Sequence, residues 1–184
     1  GATGWPATDW MEDIMLRTQQ PEVYDGWVKN TVKFTDPAVI NAMEIFGSFA
    51  KNDAYVDGGA AGVASVDFRD SPKGLFSSPP KCYMHHQASF IPAFFPEGTK
   101  LGTDADFFYM PTYAAMADLG KPVLGAGTLF TITKDSKASR AFIDFLKMPL
   151  AHEIWMQDGG FLTPLKSANP AAYGSDAARK QGDI

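Results

Sequence analysis

Two short stretches crowd flat aromatic faces against hydrogen-bonding side chains: Gly4-Trp5-Pro6-Ala7-Thr8-Asp9-Trp10, and Tyr83-Met84-His85-His86-Gln87-Ala88-Ser89-Phe90-Ile91-Pro92-Ala93-Phe94-Phe95-Pro96. An aromatic face beside Asp, Gln and Ser suits a ligand that is flat on one side and polar around its rim, such as a sugar ring. Carbohydrate binding is the chemistry these residues point to. The ordinary alternative is that the same rings fill a core. Asp9 has two readings, as an acceptor for ligand hydroxyls or as a helix cap. His86 is either a ligand contact or a histidine satisfied by local hydrogen bonds.

Catalytic arrangements are weaker. Asp104 with Asp106, or Glu12 with Asp13, supplies carboxylates for glycoside hydrolysis, but sequence neighbours do not establish the separation across a sugar that this reaction needs. Adjacent His85 and His86 point to opposite faces of a strand and do not readily chelate one metal. His152-Glu153 lacks the second histidine of a zinc-protease helix. No catalytic residue, metal site or cofactor is expected. Cys82 stands alone, which excludes an internal disulfide and reads as a half-buried small hydrophobe.

The 184 residues are 45% hydrophobic and 20% charged, enough for one globular domain or two small lobes. With 21 acidic against 16 basic residues the net charge is −5, and no Lys/Arg run tracks a phosphate backbone. Nucleic acid and anionic membrane surfaces are therefore poor partners. No apolar stretch approaches the roughly 20 residues of a spanning helix, and no charged leader precedes an apolar run at the N-terminus.

The positioning elements follow from pattern. Helices are expected over 9–18, capped by Thr8 or Asp9, over 21–30, and over 37–50 behind Asp36-Pro37. Gly, Ala, Ser and Pro from Asp57 to Pro80 read as loops. Strands are expected near 81–90, 106–110 and 123–132, the last interrupted by Gly125 and Gly127. Asp135 or Ser136 caps a helix through Lys147, and another runs from Leu150 to Gln157 into Gly159-Gly160. The tail from Ser167 to Ile184 carries little pattern.

The order of these features resembles the extracellular solute-binding proteins of bacterial ABC sugar importers, especially the α-glucoside-binding type. The matching text runs from Ala2-Thr3-Gly4-Trp5-Pro6-Ala7-Thr8-Asp9-Trp10 and Glu12-Asp13-Ile14-Met15-Leu16-Arg17 through Pro79-Pro80-Lys81-Cys82-Tyr83-Met84-His85-His86-Gln87-Ala88-Ser89-Phe90-Ile91. It continues in Phe94-Phe95-Pro96-Glu97-Gly98, Asp106-Phe107-Phe108-Tyr109-Met110-Pro111, Gly120-Lys121-Pro122-Val123-Leu124-Gly125-Ala126-Gly127 and Gly159-Gly160-Phe161.

The resemblance implies an α/β fold of the type II periplasmic-binding-protein kind, here an incomplete lobe with helices flanking a mixed sheet. It implies that the chain corresponds to the second half of longer family members. Residues 1–111 would belong to the C-terminal lobe, 112–148 would return to the N-terminal lobe as a hinge strand plus helix, and 149–184 would cross back and stop short. The substrate-binding residues it marks are Trp5, Thr8, Asp9, His86, Gln87, Ser89, Phe90, Gly125, Gly127 and Gly160. The implied role is capture of a carbohydrate, an α-glucoside or related oligosaccharide, in the periplasm or outside the cell for delivery to permease subunits. A carbohydrate-active enzyme or lectin-like module is the alternative. With a lobe missing, the apolar face of the 136–147 helix is expected to be uncovered and to drive self-association or a rearrangement of residues 121–148.

Overall fold

A computed structural model describes residues 1–184. Seven α-helices form in chain order: α1 Trp5–Thr18, α2 Pro21–Val28, α3 Pro37–Ala50, α4 Gly59–Ser65, α5 Lys137–Leu146, α6 Pro149–Asp158 and α7 Asp176–Gly182. Short 3-10 turns occupy Ser71–Phe76, Ile91–Phe94, Ala114–Leu119 and Pro170–Ala172. The expected mixed sheet is absent. Stretches 81–90, 106–110 and 123–132 form no ladder, and the one bridge pairs Leu101 with Ala105. A strand exists only where a neighbouring strand takes up its N–H and C=O groups, so β-forming side chains alone do not make a sheet. Leu129 in the third stretch is 90% exposed.

The chain divides into two compact units, the first made of Gly1–His86 with Tyr109–Gly125 and the second of Gln87–Phe108 with Ala126–Ile184. In the first, α1 packs on α3 and buries Ile14, Met15, Val39 and Ala42, with Met11, Val23, Trp27, Ile45 and Phe46 around them. Spacings of three and four residues put these side chains on one face of each helix. Trp10 closes the edge of this core against Phe49, with ring centroids 4.8 Å apart. Asp36 caps α3 as its sequence announces, its Oδ1 accepting from the Ala38 amide at 2.9 Å with Pro37 next in line.

α1 begins four residues before the expected start. Gly4 takes a left-handed conformation at φ 79°, which glycine tolerates, and Pro6 fits the first turn, where its missing N–H costs nothing. Neither Thr8 nor Asp9 is therefore the cap. Thr8 Oγ1 donates to the Trp5 carbonyl at 2.7 Å, and Glu12 and Asp13 fall mid-helix. A second glycine is fixed by close approach: a Cβ on Gly74 would stand 2.7 Å from Asp57 Oδ2 and 2.9 Å from Cys82 Sγ. Burial, then the Asp57 charge, pushes the Cys82 thiol up, so it stays protonated in a packing role.

In the second unit Ser136 and Ser139 cap α5 reciprocally, each hydroxyl accepting from the other's amide, at 3.1 and 2.9 Å. Pro149 starts α6, one residue before the expected Leu150. The tail is ordered by packing that its composition concealed. Met156, Ala168 and Tyr173 are buried together, flanked by Phe161, Leu162 and Leu165. The Tyr173 hydroxyl accepts from the Thr163 amide at 3.1 Å. Small alanines at 168, 172 and 178 carry little hydrophobic signal, yet they let these segments approach closely.

Accessible surface totals 12341 Å². On α5, Phe142 is 55% exposed.

Replacing Ile14, fully buried at the α1–α3 seam, with alanine is expected to lower unfolding free energy by about 2–5 kcal/mol. Leu129→Ala should stay within about 0.5 kcal/mol. Urea titrations followed by tryptophan fluorescence would measure both, and equal losses would remove the seam from its place as core.

Candidate functional site

The marked residues fall in both units. Trp5, Thr8, Asp9, His86 and Gly125 belong to the first, and Gln87, Ser89, Phe90, Gly127 and Gly160 to the second.

In the first unit α1 sets the arrangement. Trp5, its first residue, packs edge-on against Phe68 at 5.2 Å. Asp9 follows a turn later, half-buried; burial and then Glu12 raise its carboxyl, with His86 opposing. Asp13 is buried another turn on. It accepts from His86 Nε2 at 2.5 Å and from Arg17 Nη1 at 2.7 Å. Burial by itself would raise this carboxyl, but the His86 hydrogen bond and the Arg17 charge outweigh it and hold the group below its usual 3.8. With Asp13 ionised, His86 Nε2 carries the proton. The His86 ring also stacks on Trp10, centroids 4.0 Å apart. His86 thus has partners supplied by its own unit.

The neighbouring groups are similarly committed. Ser71 Oγ gives its hydrogen to the Phe68 carbonyl at 2.7 Å, so His85 Nε2, 2.8 Å away, is the donor to Ser71. Burial, then His86, keeps His85 below its ordinary value. Tyr24 donates to Glu12 Oε2 at 3.0 Å, and burial followed by Glu12 pushes its hydroxyl up to about 12.

Arg17 was not marked by the sequence reading. It is 3% exposed and reaches Asp13 Oδ1, the carbonyl of Met110 at 3.4 Å and the carbonyl of Pro122 at 3.3 Å, with the Tyr109 ring 5.3 Å away. A signal for it exists in the chain: Asp13 and Arg17 are four apart and share a helical face with Trp10 and Ile14, so an apolar stripe carries an ion pair.

In the second unit Gly160 and Phe90 come together, a Cβ on Gly160 falling 4.0 Å from Phe90 Cα and 3.7 Å from Ala93 Cβ. Phe90 also meets Phe94 edge-on at 6.3 Å. Gln87 Oε1 accepts from the Ala88 amide at 2.9 Å, Ser89 is half-buried, and Gly127 is exposed, as is Gly125 in the first unit. Missed here is an aromatic group on either side of Gly159-Gly160. Trp155 lies parallel to Phe161 at 4.4 Å, and Phe130 meets its edge at 6.5 Å.

Groups weighed for catalysis serve local structure. Asp104 Oδ2 accepts from the Lys100 amide at 2.8 Å and Asp106 Oδ1 from the Phe107 amide at 2.9 Å. Thr163 Oγ1 accepts from Leu165 and gives its hydrogen to His152 Nδ1 at 2.7 Å, leaving Nε2 to donate to the Leu146 carbonyl at 2.8 Å. Glu153 accepts from the Asn169 amide. No three His, Cys, Asp or Glu side chains are grouped to hold a metal ion, and no helix is long and apolar enough to cross a membrane.

Because the folded-state value of Asp13 lies below 3.8, its ionisation favours folding above that pH, and the contribution is lost as pH falls through the lowered value. Asp13→Asn leaves Arg17 buried without its counter-charge and is expected to cost about 3–5 kcal/mol at neutral pH. The variant should also lose stability less steeply than the parent below about pH 4. Urea unfolding across pH would test this; parallel acid limbs would show that Asp13 is not responsible.

Along its whole length the chain is 70% identical to the alpha-glucosides-binding periplasmic protein AglE of Rhizobium meliloti, of which it covers 40%. It is 39% identical, again over its whole length, to the osmoprotective compounds-binding protein GgtB of Synechocystis, of which it covers 43%. No family model and no solved structure matches. The resemblance to solute-binding proteins of the α-glucoside type therefore holds, for a chain spanning about two fifths of the length of either curated relative.

Proposed function

We propose that the chain is part of the substrate-binding component of an ABC importer, and that the parent captures an α-glucoside or related oligosaccharide in the periplasm and hands it to permease subunits. The observation that carries this reading is 70% identity, without a gap in coverage of this chain, to a protein named for binding alpha-glucosides. The second relative, at 39%, is also named as a binding protein, which favours transport over catalysis. Residues 1–111 are read as a segment of the C-terminal lobe, 112–148 as a return to the N-terminal lobe, and 149–184 as a second segment of the C-terminal lobe.

Trp5 and Phe90 are the proposed stacking faces. Asp9 and Gln87 are the proposed partners for sugar hydroxyls, and Thr8, His86, Ser89, Gly125, Gly127 and Gly160 are the further proposed substrate-binding residues. The support is chemical: half-buried rings on Trp5 and Phe90, and half-buried polar groups on Asp9 and Gln87.

In the full-length parent, calorimetry against maltose-, trehalose- and sucrose-type sugars should show binding without turnover. Hydrolysis of any of them would replace this reading with an enzyme. Trp5→Ala or Phe90→Ala should weaken binding by about 1–3 kcal/mol, roughly tenfold or more. Gln87→Ala should cost about 0.5–1.5 kcal/mol. Trp10→Ala, which removes a ring packed on Phe49 and His86, should lower the melting temperature more than the affinity. Unchanged binding in both aromatic variants would return those rings to the core.

For the chain by itself, exposed Phe142 and Phe145 on α5 point to self-association. Light scattering should show a mass rising with concentration, and a strict monomer at high concentration would contradict it.

A further inference from the structure

Between its two units the chain passes three times: out of the first after His86, back into it at Tyr109, and out again after Gly125. Each passage is rooted in the first unit on residues that touch one pair of side chains on α1. His86, the last residue before the first exit, donates to Asp13 at 2.5 Å. At the return, Met110 offers its carbonyl to Arg17 Nε and Tyr109 sets its ring against the guanidinium. Ahead of the final exit, the carbonyl of Pro122 accepts from Arg17 Nη2 and from the Tyr109 hydroxyl.

We infer that the buried Asp13–Arg17 pair is a clamp that fixes the roots of all three passages to the first unit, with Arg17 as the positioning residue for the second and third and Asp13 for the first. The inference concerns the scaffold and stands apart from the sugar reading. Stretches 109–112 and 121–125 have no helix or strand of their own to take up their carbonyls. A buried C=O needs a donor, and a guanidinium serves several acceptors at once because its five N–H groups are splayed in a rigid plane. Lysine cannot reproduce this: one ammonium can pair with Asp13, but it does not span carbonyls that Arg17 reaches from Nε and Nη2 separately. The Asp13 carboxylate, in turn, divides its oxygens, Oδ1 to Arg17 and Oδ2 to His86, so the two halves of the clamp share a single charge.

The test is backbone ¹⁵N relaxation on this chain. In the parent protein, amides of 84–86, 109–113 and 121–125 should have order parameters near about 0.85, the level of rigid backbone. In Arg17→Lys, 109–113 and 121–125 should fall together below about 0.6, while 84–86 and α3 stay ordered. In His86→Asn the fall should be confined to 84–86. Tyr109→Phe, which removes only a hydroxyl, provides a milder arm and should loosen 121–125 alone. Low order at these stretches in the parent protein would overturn the clamp. So would Arg17→Lys or Tyr109→Phe at parent values throughout, or a uniform loss of order across α1 and α3.

Discussion

One buried carboxylate governs the first unit. Asp13 sits on the apolar side of α1, where an unpaired charge would be expensive, and it is stable there because His86 and Arg17 surround it with donors. The arrangement is mutual. Arg17 is buried because Asp13 neutralises it, and once buried it becomes the donor for carbonyls that have no secondary structure to satisfy them. Trp10 completes the enclosure by stacking on His86 from one side while leaning on Phe49 from the other. Thus the hydrophobic seam of α1 with α3 and the polar seam of α1 with three loop stretches are opposite consequences of one helix.

Such a construction commits some of the marked residues to holding shape and leaves others without such a duty. His86 directs Nε2 and a ring face inward, and its first duty is structural. Asp9 differs: it is a turn nearer the helix start, half-buried, and its carboxyl is pushed up by burial and by Glu12 with no hydrogen-bond donor among the causes. A carboxylate in that condition gains from a hydroxyl donor brought by a ligand. In the second unit, Gly160 lies against the Phe90 backbone in a left-handed conformation, φ 68°, which glycine tolerates.

Exposure on α5 and along 123–132 has a different origin. Ser136 and Ser139 make α5 a well-capped helix, so it forms without tertiary help at its start, yet Phe142 and Phe145 stay partly exposed. Local rules form the helix; only a partner surface could bury its face. The chain spans about two fifths of the length of the curated relatives it matches.

The starts of α3 and α5 and the resemblance to α-glucoside-type binding proteins were legible in the sequence. Asp36-Pro37 and Ser136 act through atoms within three residues of themselves, which is why a reader of the chain can place α3 and α5. Three things depended on tertiary structure. The strands at 81–90, 106–110 and 123–132 fail because a ladder needs a second strand, information no single segment contains. The tail around Tyr173 orders because alanines allow close packing, a property invisible to hydrophobicity patterns. Lastly, the pairing of Asp13 with Arg17 is local and was readable as an i,i+4 spacing, but its reach to His86, Met110 and Pro122 spans 73, 93 and 105 residues of sequence. Chain proximity specifies the first contact, and only the folded backbone brings the other three to the same side chains.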